Sequence, residues 1–596
     1  MTEPNRPMTA KPRDFNRALK SFLKSIKPWR WQLIIVAILA CIATALTIFG
    51  PMILGTITTT AVTSLSETGS VDWEPIAKAA ILLIILYIIS SILSYIEGLM
   101  DSVVAARYTK NLREQILAKI SRLPISYFDK VQFGDVLSRM TNDVETIATA
   151  LSEEITHTVT SITSVVGILI MMFTISIPLS LVAIIIVPIS LTLVSRIMNR
   201  SQKHFRAQRK QLGKLNSIIE EDYTGSLVIK ANSHGPRSIA DFERTNRALY
   251  NVSWRAQFFG SLAFPLVHSF ANLSYIAICI LGGHLAIARQ ITIGNVQAFI
   301  QYVNQFNRPI TEIAGISATV AQVLAASERI FDFLNDPEEA ADPEPAQIVE
   351  KVKGDVEFHH VKFSYDKITP VIKDFSCQIP AGSRVAIVGP TGAGKTTIVS
   401  LLMRFYDVDS GYITIDGVPT KEMRRNDVRA LFGMVLQDTW LFSGSVADNL
   451  RYGKPSATLD EVKNSAKTTG VHHFIESLPH DYYSPIDEDS DNISAGEKQL
   501  LTIARAMVAN PPMIILDEAT SNVDTRTEQL IQDAFNQLTK GRTSFVIAHR
   551  LSTIRESDII LVMRDGDIVE QGTHEQLLKA KGFYAELYNS QFNGTI

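Results

Sequence analysis

Six apolar stretches, separated by links of alternating charge, constrain this chain more than any other feature. They are WQLIIVAILACIATALTIFGPMILG (31–55), IAKAAILLIILYIISSILSYI (76–96), TVTSITSVVGILIMMFTI (158–175), SLVAIIIVPISLTLVSRI (180–197), FPLVHSFANLSYIAICILGGHLAI (264–287) and ITIGNVQAFIQYVNQF (291–306). A bilayer core takes roughly 20 apolar residues per helix, and each stretch meets or approaches that length. The last is the least apolar, and its Asn and Gln would also suit a soluble helix. It is counted because five crossings would leave the second half of the chain on the wrong side.

Charge sets the orientation. The link 64–75 holds Glu67, Asp72 and Glu74 with no Lys or Arg, and the link after the third stretch, SIPL, is uncharged. Links 104–157 and 198–257 are long, helical in pattern and rich in Lys and Arg. Basic links stay on the cytoplasmic side, so both termini and both long links are expected there. A large soluble helical core would not produce this asymmetry.

Such long links are unusual between helices, so the spans are expected to continue out of the bilayer. Each link has a break, at YFDKVQFGD (127–135) and EEDYTGSLVIK (220–230), where Gly134 and Gly225 would let a small transverse helix form. These are the expected points of contact with a cytoplasmic module. Ahead of the first span, DFNRALKSFLKSIKPWRW places Phe15, Leu19, Phe22, Leu23 and Ile26 on one helical face and bases on the other. That pattern fits a helix lying along the inner membrane surface. The following apolar run is too long for a signal-peptide core.

Hydrophobic residues make up 46% of the chain, and Lys+Arg number 57 against 60 for Asp+Glu, a balance that argues against a nucleic-acid partner. Cys41, Cys279 and Cys377 lie far apart and read as reduced structural thiols.

The acidic, Pro-rich NDPEEAADPEPAQ (335–347) marks a linker, and the remainder reads as a soluble α/β domain. The strand-like SRVAIVG leads into Gly389, Pro390, Thr391, Gly392, Ala393, Gly394, Lys395, Thr396 and Thr397. This is a phosphate-binding loop in its required context, strand before and helix after. Backbone N–H groups and the helix start would cradle phosphates. Lys395 would reach the β- and γ-phosphates and Thr396 would bind Mg2+. In PMIILDEATSNVD (512–524) a buried strand ends in Asp517, placed for the Mg2+ shell, and Glu518, placed as general base on the attacking water. SFVIAHR (544–550) leaves His549 at a strand's carboxyl end, where α/β sheets bind ligands.

With these motifs the chain resembles a half-transporter of the ATP-binding-cassette superfamily, of the six-span exporter type, over nearly its whole length. The resemblance implies a membrane all-α six-helix domain followed by a P-loop α/β nucleotide-binding domain. The expected divisions are an interfacial helix (14–30), a transmembrane domain (31–334), a linker (335–352) and the nucleotide-binding domain (353–590). It implies that Tyr365 stacks on adenine, that Gln437 senses Mg2+ and the coupling helices, and that Asp524 communicates across a dimer. Glu488 falls where the family has a cross-link-loop glutamate, though its neighbours depart from the pattern. Two such domains dock head to tail, each ATP lying between one phosphate loop and the opposite signature loop. A chain with one of each must therefore dimerise.

The family's signature, Leu-Ser-Gly-Gly-Gln, reads here Ile493, Ser494, Ala495, Gly496, Glu497. Ser494 retains a hydroxyl for the γ-phosphate and Gly496 keeps close backbone approach. Ala495 adds a methyl and Glu497 a charge, both expected to weaken the grip on ATP. With Lys395, Asp517, Glu518 and His549 intact, the split favours a heterodimer with one degenerate ATP site. The alternative is a homodimer, a lipid or drug flippase that tolerates both changes.

The expected activity is ATP-driven export of amphipathic cargo, drug-like compounds, lipids or hydrophobic peptides, by alternating access. An ATP-gated regulator or channel is the competing class, disfavoured by an intact Glu518 and His549. Glu97, Asp101 and His268 are ionisable groups in or near spans, functional candidates in a membrane. Phe264, Tyr302 and Phe306 are candidates for a cargo path, with packing an equal alternative. Short outer links and the lack of an organellar presequence point to a bacterial cytoplasmic membrane.

Overall fold

A computed structural model describes residues 12, 14–437, 439–486, 493–517, 524–548 and 551–592. The chain divides into two compact units. One runs to Ser121 and resumes over Phe133–Asp336; the other joins Arg122–Gln132 to the chain from Pro337 onward.

The first unit is all helical. Its elements are α1 (Phe15–Ile26), α2 (Arg30–Ile48), α3 (Gly50–Thr68), α4 (Trp73–Ile120), and, past α5 (Ile125–Phe128) of the other unit, α6 (Phe133–Ser138), α7 (Val144–Thr149), α8 (Ile155–Ile175), α9 (Ile177–Thr224), α10 (Ser226–Ala231), α11 (Gly235–Ile287) and α12 (Ile293–Asn335). Each of the six apolar stretches is helical over nearly its whole length, Phe49, Ile291 and Thr292 alone lying outside the helices. The first is broken after Ile48, where Gly50 and Pro51 open α3, since proline cannot donate to the preceding turn.

Among the described residues, helical stretches Phe15–Glu67, Trp73–Ile120 and Phe133–Ile175 are long and apolar enough to cross a membrane, and Asn272–Ile287 is a shorter apolar helix. On α4, Ile81, Leu82, Ile84, Ile85, Ile88, Ile89 and Ile92 are all exposed. A helix apolar on every side is either buried in protein or bathed in lipid. The apolar stretch of α4 is only 6% buried, so its apolar faces are built for a bilayer or for another chain.

The long links do continue the helices, α4 and α9 each running 48 residues. Gly225 ends α9 and α10 follows it directly. Gly134 instead lies inside α6. The first break is set by Pro124, whose extended backbone (φ −66°, ψ 152°) precedes the one-turn α5.

One close approach organises the span core. A Cβ on Gly294 of α12 would overlap the Gly55 carbonyl of α3, and the Gly294 N–H donates to the Thr59 hydroxyl at 3.2 Å. Small residues that let helix backbones touch are the usual means of packing in lipid, where the hydrophobic effect supplies no driving force. α1 is capped by Asp14, which accepts from the Arg17 N–H, and Arg17 reaches Asp332 of α12 at 3.4 Å.

The second unit is α/β. Its strands are β1 (Val356–Phe363), β2 (Ile372–Ile379), β3 (Arg384–Val388), β4 (Ser410–Ile415), β5 (Val418–Pro419), β6 (Phe432–Val435), β7 (Gly444–Ser445), β8 (Pro485–Ile486), β9 (Met513–Asp517), β10 (Thr543–Ile547), β11 (Ile559–Arg564) and β12 (Asp567–Gly572). They form an antiparallel sheet ordered β2-β1-β4-β5, a six-stranded sheet ordered β12-β11-β3-β10-β9-β6 and the pair β7-β8. Strands β11, β3, β10, β9 and β6 are mutually parallel. Residues of β3, β9 and β10 are almost wholly buried, as expected of a parallel sheet covered on both faces.

Candidate functional site

Parallel strands end on one edge, and ligands bind outside their carboxyl ends. Here β3 passes into the loop Gly389–Gly394 and α13 (Lys395–Leu402) begins at Lys395. Gly394 caps α13 with φ +98°, and a Cβ there would come within 2.8 Å of the Ile372 side chain. Only glycine takes that backbone without strain.

A cavity of about 340 Å³ lies at this edge, lined by Thr391, Gly392, Ala393, Gly394, Lys395, Thr396 and Thr397, with Gln437, Asp517, Val371 and Ile547. Gln437 arrives from the chain leaving β6 and Asp517 from the end of β9. Sheet order brings these distant stretches together. The Lys395 ammonium donates to the carbonyls of Gly389 and Pro390, at 2.7 and 3.0 Å. Burial draws its pKa below the ordinary lysine value, and the charge of Asp517 partly restores it. The cavity thus holds a fixed cation beside a carboxylate, a hydroxyl (Thr396) and an amide (Gln437). Such oxygen donors suit a hard dication such as Mg2+, with water and phosphate completing the shell.

Tyr365 is outside this lining. It follows β1, is 45% exposed, and shares a hydroxyl hydrogen bond of 3.1 Å with Thr397 of α13. Ser494 and Gly496 also lie outside it, at the start of helix Ala495–Ala509. Asp524 caps helix Thr525–Thr539 by accepting from the Thr527 N–H at 3.1 Å. Glu488, Glu518 and His549 lie outside the described residues.

The signature loop contains a capping box that a reading for phosphate contacts alone missed. Glu497 turns back: its carboxylate accepts from the Ser494 N–H at 2.9 Å and the Ser494 hydroxyl at 2.6 Å, while its own N–H donates to that hydroxyl oxygen at 3.3 Å. Ser-x-x-Glu is the sequence signal for this arrangement. Ala495 sits at the first helical position, where a Cβ meets no conformational penalty.

In the first unit, Glu97 and Asp101 are buried, and Asp101 accepts from the Thr156 hydroxyl at 3.1 Å. Tyr302 and Phe306 are buried with Met172, Leu179, Ile278 and Phe299, and the Tyr302 hydroxyl donates to the Ile48 carbonyl at 2.7 Å. Both aromatics are packing residues. The side chains of Phe264 and His268 are outside the described set.

A second contact with no sequence signal ties α5 to the sheet domain: the Tyr406 hydroxyl donates to the Asp129 carboxylate. The Glu339 N–H donates to the Arg122 carbonyl at 3.0 Å, and Arg429 pairs with Glu339 at 3.0 Å.

Comparison with known proteins agrees with this layout. Residues 33–310 match the ABC transporter transmembrane region and 372–521 match the ABC transporter family. The fatty acid ABC transporter ATP-binding/permease protein of Mycobacterium tuberculosis (strain CDC 1551 / Oshkosh) is 44% identical over 517 residues, 87% of this chain and 82% of the relative. The uncharacterized ABC transporter ATP-binding protein YfiC of Bacillus subtilis (strain 168) is 37% identical over 583 residues, covering 98% and 96%. The structure of a bacterial Atm1-family ABC exporter with ATP bound aligns with a TM-score of 0.72 at 27% identity, covering 95% of this chain and 99% of that one.

Proposed function

The chain belongs to the ABC transporter family, and from that premise we propose that it is one half of a heterodimeric exporter that moves amphipathic cargo out of the bacterial cytoplasm. It is a membrane-embedded half-transporter whose ATPase domain powers transport, and as such it works as a dimer.

In the proposed cycle ATP occupies the cavity at the sheet edge. Lys395 neutralises phosphate charge, the loop Gly389–Gly394 offers backbone N–H groups, and Tyr365 stacks on adenine. Thr396, Gln437 and Asp517 would hold Mg2+, which screens the β- and γ-phosphates when bound. Glu518 takes the proton of the attacking water and His549 contacts the γ-phosphate. ATP binding closes the dimer and hydrolysis resets it.

One observation carries the heterodimer: the Ser494 hydroxyl is already engaged by the Glu497 carboxylate, so it must leave a charged acceptor to reach a phosphate in the opposite subunit. This chain then contributes a sound phosphate loop to one site and a handicapped signature to the other. A homodimer is favoured by a different observation, the unstrained helical position of Ala495. The fatty acid named for the mycobacterial relative supports lipid-like cargo among the amphipathic classes.

The test is purification of the tagged chain from its host membranes, with mass spectrometry of whatever co-purifies at equal stoichiometry. A second half-transporter with an orthodox signature and no catalytic glutamate supports the asymmetric reading. Recovery of this chain alone as an ATP-hydrolysing dimer overturns it.

A further inference from the structure

Tyr406 sits between the base side of the nucleotide site and α5. Its ring stands edge-on to Tyr365, with centroids 5.1 Å apart and planes at 89°. Phe363, buried beneath, meets Tyr365 at 4.9 Å and Tyr406 at 5.4 Å. The three rings form one cluster, edge-to-face in both pairs that involve Tyr365 and tilted at 60° between Phe363 and Tyr406, a geometry that resists rotation of any single member. At its far side the Tyr406 hydroxyl donates to Asp129, the residue after α5. Burial and then this bond to a carboxylate raise the Tyr406 pKa above that of an ordinary phenol.

The backbone beneath Tyr406 is clamped. Asp407 accepts from Arg404 at 3.0 Å and from Arg425 at 2.6 Å, and Arg404 donates to the carbonyls of Thr420 and Met423 at 3.0 and 2.6 Å. With the main chain held, a change at Tyr365 reaches Asp129 through the rings. Tyr365 is also tethered to α13 through Thr397, so its ring orientation depends on both the phosphate-loop helix and whatever lies on its exposed face.

We propose that Tyr406 is a positioning residue that reports adenine occupancy at Tyr365 to α5 through its hydrogen bond to Asp129. The proposal rests on the reading of Tyr365 as the base-stacking residue. It makes the base, and not the triphosphate alone, the signal that orders the segment 125–132.

Two probes separate base from phosphate: Mg-AMP-PNP, which carries adenine, and Mg-tripolyphosphate, which does not. The full dimer in phosphatidylethanolamine/phosphatidylglycerol nanodiscs is followed by amide hydrogen exchange over 125–132, with AMP-PNP affinity measured separately. AMP-PNP should slow exchange by about tenfold, the factor expected when one hydrogen bond to a charged acceptor is held or lost, and tripolyphosphate should leave it unchanged. Tyr406→Phe and Asp129→Ala should abolish the slowing without changing AMP-PNP affinity. Asp129→Asn, which keeps an acceptor, should preserve most of it. A merely structural bond would change exchange equally with and without nucleotide. Equal slowing by tripolyphosphate, or undiminished slowing in Tyr406→Phe, overturns the relay. Failure of the wild type to bind AMP-PNP would remove its premise, the reading of the cavity as an ATP site, and the relay with it.

Discussion

Glu497→Gln removes one negative charge from the signature loop while keeping an acceptor of the same length, so the capping geometry survives. The Ser494 hydroxyl now donates to a carboxylate at 2.6 Å. A hydrogen bond to a charged group contributes about 1.5–3 kcal/mol and a neutral one about 0.5–1.5. The substitution therefore lowers the cost of releasing that hydroxyl to a γ-phosphate by about 1 kcal/mol. At 1.4 kcal/mol per tenfold this is about fivefold tighter ATP at the site that uses this loop. Loss of the acid from the first turn of helix Ala495–Ala509 weakens its interaction with the helix dipole by about 0.3–1 kcal/mol. Affinity should rise while the melting temperature falls by a degree or two. Mg-ATP binding is best measured in a Glu518→Gln background, where turnover is expected to stop. Adding Ser494→Ala should erase the effect of Glu497→Gln on affinity, because the two side chains act as one unit. Unchanged or weaker ATP binding in Glu497→Gln would refute the competition argument and leave the capping box as a purely structural device.

Gly294→Ala forces α12 away from Gly55 and should cost about 1–3 kcal/mol as overpacking, read as a lower melting temperature of the nanodisc-embedded dimer. Arg425→Ala strips a buried guanidinium from Asp342, Asp407 and the Ala340 carbonyl. The loss should be about 2–3 kcal/mol, seen as earlier proteolysis of the linker around 340–347. The Glu461 carboxyl, held by the Lys454 ammonium and the Thr458 N–H, has its pKa lowered from 4.5 to about 2. Its contribution to helix Leu459–Thr468 is full above pH 4.5 and lost as pH falls from there toward 2. Amide protection factors in that helix, exchange rates divided by the intrinsic rate at each pH, should fall through this window, and Glu461→Gln should flatten the profile.

Local signals were the legible ones. Apolar runs of about 20 residues became helices because a bilayer admits little else, and the strand–glycine-loop–helix order around Lys395 fixed the phosphate cradle. The break at Pro51 was visible as a proline, yet the run stayed apolar through it and read as one span. Short helices do form at the first break, with Gly134 at the second position of α6 and Pro124, ten residues earlier, ahead of α5. At Glu497 the capping-box spacing was present in Ser494-x-x-Glu497, but comparison with a phosphate-contacting signature drew attention to charge instead of to the backbone amide three residues earlier. The Tyr406–Asp129 bond spans 277 residues, and neither residue carries a local pattern that names its partner. For Tyr302 the sequence left cargo path and packing equally open because aromatic side chains serve both roles; its buried hydroxyl, satisfied by the Ile48 carbonyl, favours packing.

The touching glycines of α3 and α12 make a fulcrum. Gly294 is the second residue of α12, so about 41 of that helix's residues lie to one side of the contact and almost none to the other. At 1.5 Å per residue the long arm reaches about 62 Å, and a rotation of one degree at the glycines sweeps its far end through about 1 Å. Movements too small to disturb packing near Gly55 would thus be amplified at Asn335 for as long as α12 stays straight, and bending at Pro309, part-way along the arm, would absorb them.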